Sequence, residues 1–378
     1  MKVGIPKEIA DGETRVALIP ETVKKLCGAG MEVLVEKGAG DASSLADDLY
    51  EKAGAKIVTD AKKLFAEADL VLKVQPPLTG EAKQTDEVKA LKEGAVIIAF
   101  MQPFQNKKTL EQLAARKVTA LSMEMVPRIT RAQNMDALSS MATVVGYKAV
   151  LIAANIFTRF FPMFMTAAGT IAPARTLVLG AGVAGLQALA TAKRLGSVVE
   201  AFDTRPVVKE QVESLGGKFI ALEVAQEDAE DAGGYAKELS DDHHKKELEL
   251  IEKRLPRIDI IICTAQIPGK KAPVLLTKEM VKSLKPGSVV VDLAAETGGN
   301  CELTEKNKVV VKDGVHYVGT TNLPALMPTH ASQMYSKNLG NLVLHLWKDG
   351  ALNFDMEDPI TAGVVVTRDG KIVHPALA

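Results

Sequence analysis

Thr176–Leu195 reads TLVLGAGVAGLQALATAKRL, and Val198–Asp203 follows as VVEAFD. An apolar run of strand length, a GxGxxG turn at Gly180, Gly182 and Gly185, and a helical run succeed one another directly. In that context each glycine has a job: the first permits the tight turn, the second lets backbone approach a pyrophosphate, and the third allows close packing of helix on strand. Asp203 closes the next strand at the interval expected of the acid that accepts hydrogen bonds from an adenosine ribose. A carboxylate there repels a 2′-phosphate, which favours NAD over NADP. Arg205 is the residue type a 2′-phosphate site would use, and is expected instead to pack over the adenine or to be solvated. The segment predicts a dinucleotide-binding α/β domain with NAD (NADH) as its cofactor.

On both sides of this segment short apolar runs alternate with helical-period segments, the pattern of βαβ units and a parallel sheet. Upstream, strands are expected at Val3–Ile5, Glu32–Glu36, Lys56–Val58, Leu70–Val74, Val96–Met101 and Thr119–Ser122. Helices are expected between them at Pro20–Gly28, Ala46–Ala53, Asp60–Ala66, Gly80–Leu91 and Lys108–Lys117. The polar stretch PRITRAQNMD then precedes a helix-compatible segment from Ala137 to about Phe160, read as an interdomain connection. A second alternating block runs from Arg175 to near Thr321 with strands TLVLG, VVEAFD, KFIAL, IDIIICTA, SVVVDL and VHYVGT. Beyond it SQMYSKNLGNLVLHLW has helical spacing, and Val364–Val373 reads as a hairpin around Asp369-Gly370. ADLVLKVQ and LKEGAVIIAF recur in order as IDIIICTAQ and LKPGSVVVDL, as two similar α/β halves would show. The expected architecture is two Rossmann-like, doubly wound parallel-sheet domains flanking a nucleotide-binding cleft. One covers residues 1–130, rejoined by 326–378; the other, the NAD(H)-binding domain, covers 131–325.

Composition narrows the function further. With 378 residues, 46 Lys+Arg against 47 Asp+Glu and both signs interspersed, there is no basic field for nucleic acid or an acidic membrane surface. Cys27, Cys263 and Cys301 are widely spaced and suggest neither a disulfide framework nor a metal site. The opening MKVGIPKE lacks the apolar core of a signal peptide. The apolar region Ala149–Ala174 is interrupted by Arg159, Pro162, Gly169 and Pro173, so no direct membrane span is expected. Ala225–Asp242 is acidic and long for a βα loop; a lid and a solvated helix face both remain open readings.

Dehydrogenases of alcohols, hydroxy acids or amino acids need a group to move the proton that accompanies hydride. His243, His244, His316, His330, His345 and His374 are scattered and individually read as surface or packed imidazoles. Lys73, at a strand end, reads either as a cleft-rim lysine or as a salt-bridged one. Arg128, Arg131, Gln133, Asp136 and Ser139 offer a cation, an amide, a carboxylate and a hydroxyl just ahead of a helix, able to hold a carboxamide and ribose or only to cap the helix.

Six segments carry a family likeness: GIPKEIADGETRVALIPETV, VPRITRAQNMDALSSMA, VLGAGVAGLQALATAKRLG with AFDTRPVVKEQVESLGG, GGYAKE, TAQIPGKKAPVL, and VVDLAAETGGN. Together they resemble the NAD(H)-binding alpha component of proton-translocating NAD(P) transhydrogenases, over essentially the whole chain. The resemblance implies an oxidoreductase subunit passing hydride directly, with Si/Re specificity, between its own NAD(H) and NADP(H) on a partner component, while a membrane-spanning component carries protons. It implies a homodimer, with the late helix and C-terminal hairpin as expected contacts. It also implies a cytoplasmic location, peripheral on the inner face of the membrane through partner subunits. The tail VTRDGKIVHPALA, without hydrophobic spans, fits a separate subunit or an excised domain.

The same resemblance implies residue roles. Arg128, Gln133 and Asp136 form the loop at the nicotinamide end, with Gln133 bridging the two nucleotides and Asp136 and Ser139 orienting ring and ribose. Gly180, Gly182, Val183 and Gly185 hold the pyrophosphate, and Asp203, Thr204 and Arg205 the adenosine end. Gly234 and Tyr235 belong to a loop that closes over nucleotide. Thr264, Ala265 and Gln266 line the cleft near the nicotinamide, Gln266 standing where Leu is commoner. Alanine dehydrogenases share the likeness: Arg15 and Lys73 match their substrate-binding Arg and Lys. Their catalytic His, however, appears here as Gln102 and their catalytic Asp as Glu296. Hydride exchange between two nicotinamides moves no proton at the reacting centre, so it demands positioning rather than an acid or base.

Overall fold

Leu70–Leu72 and Val96–Ala99 are buried throughout, as parallel strands covered by helices on both faces must be. The computed structural model describes residues 1–80, 86–221, 241–266 and 270–377, which divide into one unit of 1–141 with 324–378 and a second of 142–323. The division falls after Met141 rather than at 130. Residues 131–141 stay with the first unit because Asn338 and Asn341 bind the Asn134 carbonyl and Asp358 binds Arg131.

In the first unit, β1 (Lys2–Ile5), β2 (Glu32–Glu36), β3 (Lys56–Val58), β4 (Leu70–Leu72), β5 (Val96–Ala99) and β6 (Thr119–Ser122) are parallel. The second unit contains the hairpin β7 (Phe164–Thr166) and β8 (Gly169–Ile171), then β9 (Arg175–Leu179), β10 (Val198–Phe202), β11 (Lys218–Ile220), β12 (Ile260–Cys263) and β13 (Val289–Asp292). It ends with β14 (Val309–Lys312) and β15 (Val315–Val318). The chain re-enters the first unit with the short pair β16 (Trp347–Lys348) and β17 (Ala351–Leu352), and closes with β18 (Val365–Arg368) and β19 (Lys371–Ile372).

Strand order in the first sheet is β19-β18-β6-β5-β4-β1-β2-β3, with β18 antiparallel to β6. Strand order in the second is β11-β10-β9-β12-β13-β15-β14. Both are doubly wound, and in each the winding reverses beside the first strand, between β1 and β4 and between β9 and β12. That is where such sheets bind ligands, beyond the carboxyl ends of the strands. The antiparallel edge β14 is absent from the sequence expectations: its Val309 and Val311 are exposed, and it is set by the turn Asp313-Gly314, both residues left-handed. Of the helix expected over 80–91, only Glu87–Ala90 lies in described helix, and residues 81–85 fall outside the described residues.

The helix Ala137–Ile156 is long and apolar enough, by length and composition, to cross a bilayer. Read from Ala149 onward its apolar stretch looks interrupted, because the helix begins twelve residues earlier. Its Ala149, Val150 and Ala153 are fully buried in the second unit's core beside Val178 and Ala188.

A second long helix, Pro328–Leu346, organises the first unit through polar groups on its buried side. Ser332 Oγ accepts from the Val16 amide and Ser336 Oγ from the Ile19 amide, both at 3.0 Å. Tyr335 donates its hydroxyl to the Lys73 carbonyl at 2.7 Å. Lys73 is not on a rim. Its side chain is 1% exposed and ion-paired with Glu87 at 2.8 Å and Glu8 at 3.2 Å. Burial works against its charge, yet these two carboxylates hold its pKa above the ordinary lysine value.

Arg15 is likewise inside, paired with Glu13 through Nε to Oε1 at 2.8 Å and Nη2 to Oε2 at 2.6 Å, while Gln75 donates to Glu13 Oε2 at 2.7 Å. Burial opposes the Glu13 charge, but Arg15 and Gln75 bring its pKa down to about 2. A folded-state pKa below the unfolded one contributes stability that is fully present above the unfolded value and fades as pH falls towards 2. Glu13→Gln should therefore shrink the loss of unfolding free energy between about pH 5 and pH 3 by about 2 kcal/mol. Denaturant titrations at the two pH values measure this, and an unchanged loss would show that Glu13 is not so held.

Candidate functional site

In the second unit the site is built on the turn after β9. Gly180 has φ 95°, which a side chain would strain, and a Cβ on Gly185 would lie 1.8 Å from the Gly180 carbonyl oxygen. A Cβ on Gly182, by contrast, would meet nothing within 4 Å. Gly182 is also the N-cap of the 12-residue helix Val183–Arg194, with no side chain capping it. The first amides of that helix thus face open space with the positive end of the helix dipole behind them, an arrangement suited to an anion. Val183, the first helical residue, is 39% exposed.

Asp203, just past β10, is nearly buried and ties the turn to the next strand. Its Oδ2 accepts from the Ala181 amide at 2.7 Å and its Oδ1 from the Arg205 amide at 2.9 Å. The Arg205 guanidinium folds back onto the same carboxylate, Nε to Oδ1 and Nη2 to Oδ2, each at 2.9 Å. Arg205 is therefore neither solvated nor laid out flat for an adenine: two residues beyond Asp203, its fork matches the carboxylate in a bidentate pair. Thr204 between them is half-buried.

Across the winding reversal, the segment after β12 meets this turn. Thr264 donates its hydroxyl to the Gly180 carbonyl at 2.8 Å and its amide to the Leu179 carbonyl at 2.8 Å. Gln266 donates its side-chain amide to the Leu293 carbonyl at 2.7 Å. Asn300 fixes Ala265 from both sides, Oδ1 accepting its amide at 3.1 Å and Nδ2 donating to its carbonyl at 2.9 Å. Asn300 is fully buried and was not among the expected site residues. It lies in the quoted TGGN, but only the fold shows which backbone it holds.

In the first unit a cavity of about 320 Å³ is lined by Pro127, Arg128, Ile129, Gln133, Asp136 and Ser139. Four residues expected at a nicotinamide end are thus brought together. The loop bearing them is a 3-10 turn, Thr130–Met135, that buries Ala132 and Met135 and leaves Gln133 exposed. Asp136 stands just ahead of the helix Ala137–Ile156 and accepts the Ser139 amide at 2.9 Å and the Ser139 hydroxyl at 2.6 Å. That bond caps the helix and fixes the carboxylate's direction at once. Arg131 does not line the cavity; it pairs with Asp358 at 2.6 Å.

No histidine lines this cavity. His244 pairs with Glu247 and His345 with Asp358, 2.9 and 2.8 Å away. Gln102 follows β5 with φ 47°, and its amide donates to Glu124. Glu296 is exposed, 3.6 Å from Lys306. Gly234 and Tyr235, with residues 225–240 of the acidic segment, lie outside the described residues.

The chain matches two family models, alanine dehydrogenase/PNT N-terminal domain over residues 4–145 and alanine dehydrogenase/PNT C-terminal domain over 149–375. It is 55% identical, over 100% of this chain and 99% of the relative, to an NAD(P) transhydrogenase subunit alpha of Rhodospirillum rubrum. Its fold is similar to a transhydrogenase from Sinorhizobium meliloti (TM-score 0.89, 44% identity, 99% of this chain and 100% of the other). It is also similar to an L-alanine dehydrogenase (TM-score 0.84, 25% identity, 100% and 98%).

The two outer glycines of the turn should separate on substitution. Gly185→Ala forces backbone apart and should cost about 2 kcal/mol or more, seen as a fall of about 5 °C in melting temperature. Gly182→Ala has room for its methyl and should melt within about 1 °C of the parent. Equal losses in thermal melts would contradict the packing described.

Proposed function

The chain belongs to the alanine dehydrogenase/PNT family, and we propose that it is the NAD(H)-binding component of a proton-translocating NAD(P) transhydrogenase. The observation that carries this reading is the gathering of Arg128, Gln133, Asp136 and Ser139 around one cavity, in a chain with a carboxamide at Gln102. A carboxamide neither gives nor takes a proton at neutral pH, so an alanine dehydrogenase reaction would lack its acid–base agent there. Transfer between two nicotinamides needs none.

The residues of the second unit fit a dinucleotide: open space over Gly182 and the uncapped helix amides suit a pyrophosphate, and Asp203 suits ribose hydroxyls. The nicotinamide, when bound, supplies the C4 position that takes or gives hydride. The turn Gly180–Gly185 with Val183 binds and orients; Asp203, with Thr204 beside it, accepts from the adenosine ribose and disfavours a 2′-phosphate. Arg205, held in its ion pair, keeps that carboxylate ionised and aimed. Ala265 and Gln266 offer backbone groups for a carboxamide, with Asn300 locking the first of them.

In the first unit, Asp136 and Ser139 act as a preset pair that orients ring and ribose, and Arg128 contributes a cation. Gln133 has a donor and an acceptor on one rigid amide, which suits it to bridge two nucleotides. Its side chain is exposed and has no hydrogen-bond partner among the described residues. Gly234 and Tyr235 are proposed to close over the nucleotide. Catalysis is then positioning and exclusion of water.

NADP(H) belongs to a partner component in this reading, and protons to a membrane-spanning one, which places the chain on the cytoplasmic face through its partners. The chain is further proposed to form a homodimer. The exposed Phe160, Met163, Phe164, Met165 and Ile171 on and beside the β7–β8 hairpin give it more apolar surface to bury than the C-terminal hairpin does.

Direct transfer is tested with NADPH carrying deuterium at the transferred C4 position and an NAD analogue as acceptor, in the presence of the NADP(H)-binding component. Deuterium should appear in the reduced analogue. Its loss to water would overturn the reading. Gln133→Asn should keep NADH affinity within about twofold while slowing transfer by about tenfold or more, and a rate equal to the parent's would remove Gln133 from its role.

A further inference from the structure

The loop that carries Gln133 is irregular backbone, and its position is set from outside. The Asn134 carbonyl accepts two hydrogen bonds, from Asn338 Nδ2 and from Asn341 Nδ2, both at 2.9 Å. The two asparagines are three residues apart on the helix Pro328–Leu346, so one helical face delivers both amides to the same oxygen. Three residues before Asn134, Arg131 is held by Asp358 at 2.6 Å. Asp358 is itself fixed by His345 on the same long helix and by the Thr361 amide it caps. Asn134 is the immediate neighbour of Gln133.

Asn338 is an odd choice for packing alone. It is only 6% exposed, and its Oδ1 has no hydrogen-bond partner among the described residues. A buried carboxamide that leaves its oxygen unpaired is unfavourable, and an apolar side chain of similar size would suit the position better if stability were its only purpose. Its Nδ2 does one thing visible in the structure, which is to hold the Asn134 carbonyl.

We infer that Asn338 and Asn341 are positioning residues for hydride transfer: the paired clamp on Asn134 sets where the neighbouring Gln133 carboxamide stands at the cavity. This rests on the role given above to Gln133. The clamp touches no nucleotide. It acts by limiting the travel of a loop whose own hydrogen bonds are few, Ala132 amide to Ile129 carbonyl at 2.9 Å and Asp136 amide to Gln133 carbonyl at 3.3 Å. A misplacement of about 1 Å at a reacting centre costs up to about a hundredfold in rate.

The test uses the full chain with an NADP(H)-binding transhydrogenase component, NADPH as donor and an NAD analogue as acceptor. Asn338→Leu/Asn341→Leu should lower kcat by about tenfold or more while KM for the analogue stays within about twofold. Its melting temperature should be no lower than the parent's, because the orphaned oxygen is gone. Asn338→Leu/Asn341→Gln, which restores one amide donor, should recover much of the rate. Wild-type kcat in the double leucine variant overturns the proposal, as does a rate loss that follows a loss of stability or is not rescued. Amide hydrogen exchange at Ala132 and Asp136 gives a readout independent of turnover: about tenfold faster exchange in the double leucine variant supports the clamp, and unchanged exchange overturns it. If the parent chain transfers no hydride, the function proposed above fails, and exchange alone decides whether the clamp exists.

Discussion

The polar side of the helix Pro328–Leu346 is the constraint on which the first unit depends. Segments that follow strands in irregular conformation carry amides and carbonyls that no sheet satisfies, and buried groups of that kind need partners. The chain supplies them from a helix more than 300 residues downstream of the N-terminal segment it holds. Ser332 and Ser336 take the Val16 and Ile19 amides, Tyr335 reaches the Lys73 carbonyl, and Trp347, next after the helix, donates to the Ala29 carbonyl at 3.0 Å. The same helix reaches the loop of Arg128, Gln133 and Asp136 through Asn338 and Asn341. One rigid element thus fixes two irregular segments against the same sheet, without either having regular structure of its own.

The second unit solves a different problem with different means. There the backbone itself is the binding surface, so bulk must be absent: Gly185 lets the helix approach the Gly180 carbonyl, and Gly182 leaves room above the first helical amides. Thr264, Asp203 and Asn300 then commit their polar groups to holding that backbone in place. Neither unit places a histidine or lysine free to move a proton at its described site. The buried Lys73 and Arg15 are committed to Glu8, Glu87 and Glu13. This is the chemistry of holding, and it agrees with a reaction whose barrier is met by alignment.

Local signals made much of this legible in the sequence. The parallel strands announce themselves as apolar runs, and Gly180, Gly182, Gly185 and Asp203 stand at spacings that only a strand–turn–helix unit explains. Asp136 and Ser139 read as a cap and are one. Contacts distant in sequence stayed hidden. Lys73 reads as a strand-end cation, and its burial depends on Glu8 and Glu87 converging from two other segments. Arg205 is drawn to Asp203 by a bidentate geometry that spacing alone leaves open. The edge strand β14 is exposed and weakly patterned, and only its turn marks it. The loop 131–136 reads as a connection because nothing local reveals that Asn338, Asn341 and Asp358 bind it to the first unit.

The central claim is that this chain positions NAD(H) for hydride exchange with a partner's NADP(H) and has no substrate oxidation of its own. The direct measurement is spectrophotometric: reduction of an NAD analogue by NADPH with the purified chain alone and with an NADP(H)-binding component added, beside NAD reduction by the chain alone with alanine. The account predicts transfer only when the component is present and no turnover of alanine. Alanine oxidation by the chain alone would contradict it, and would assign proton transfer to groups this structure shows committed elsewhere.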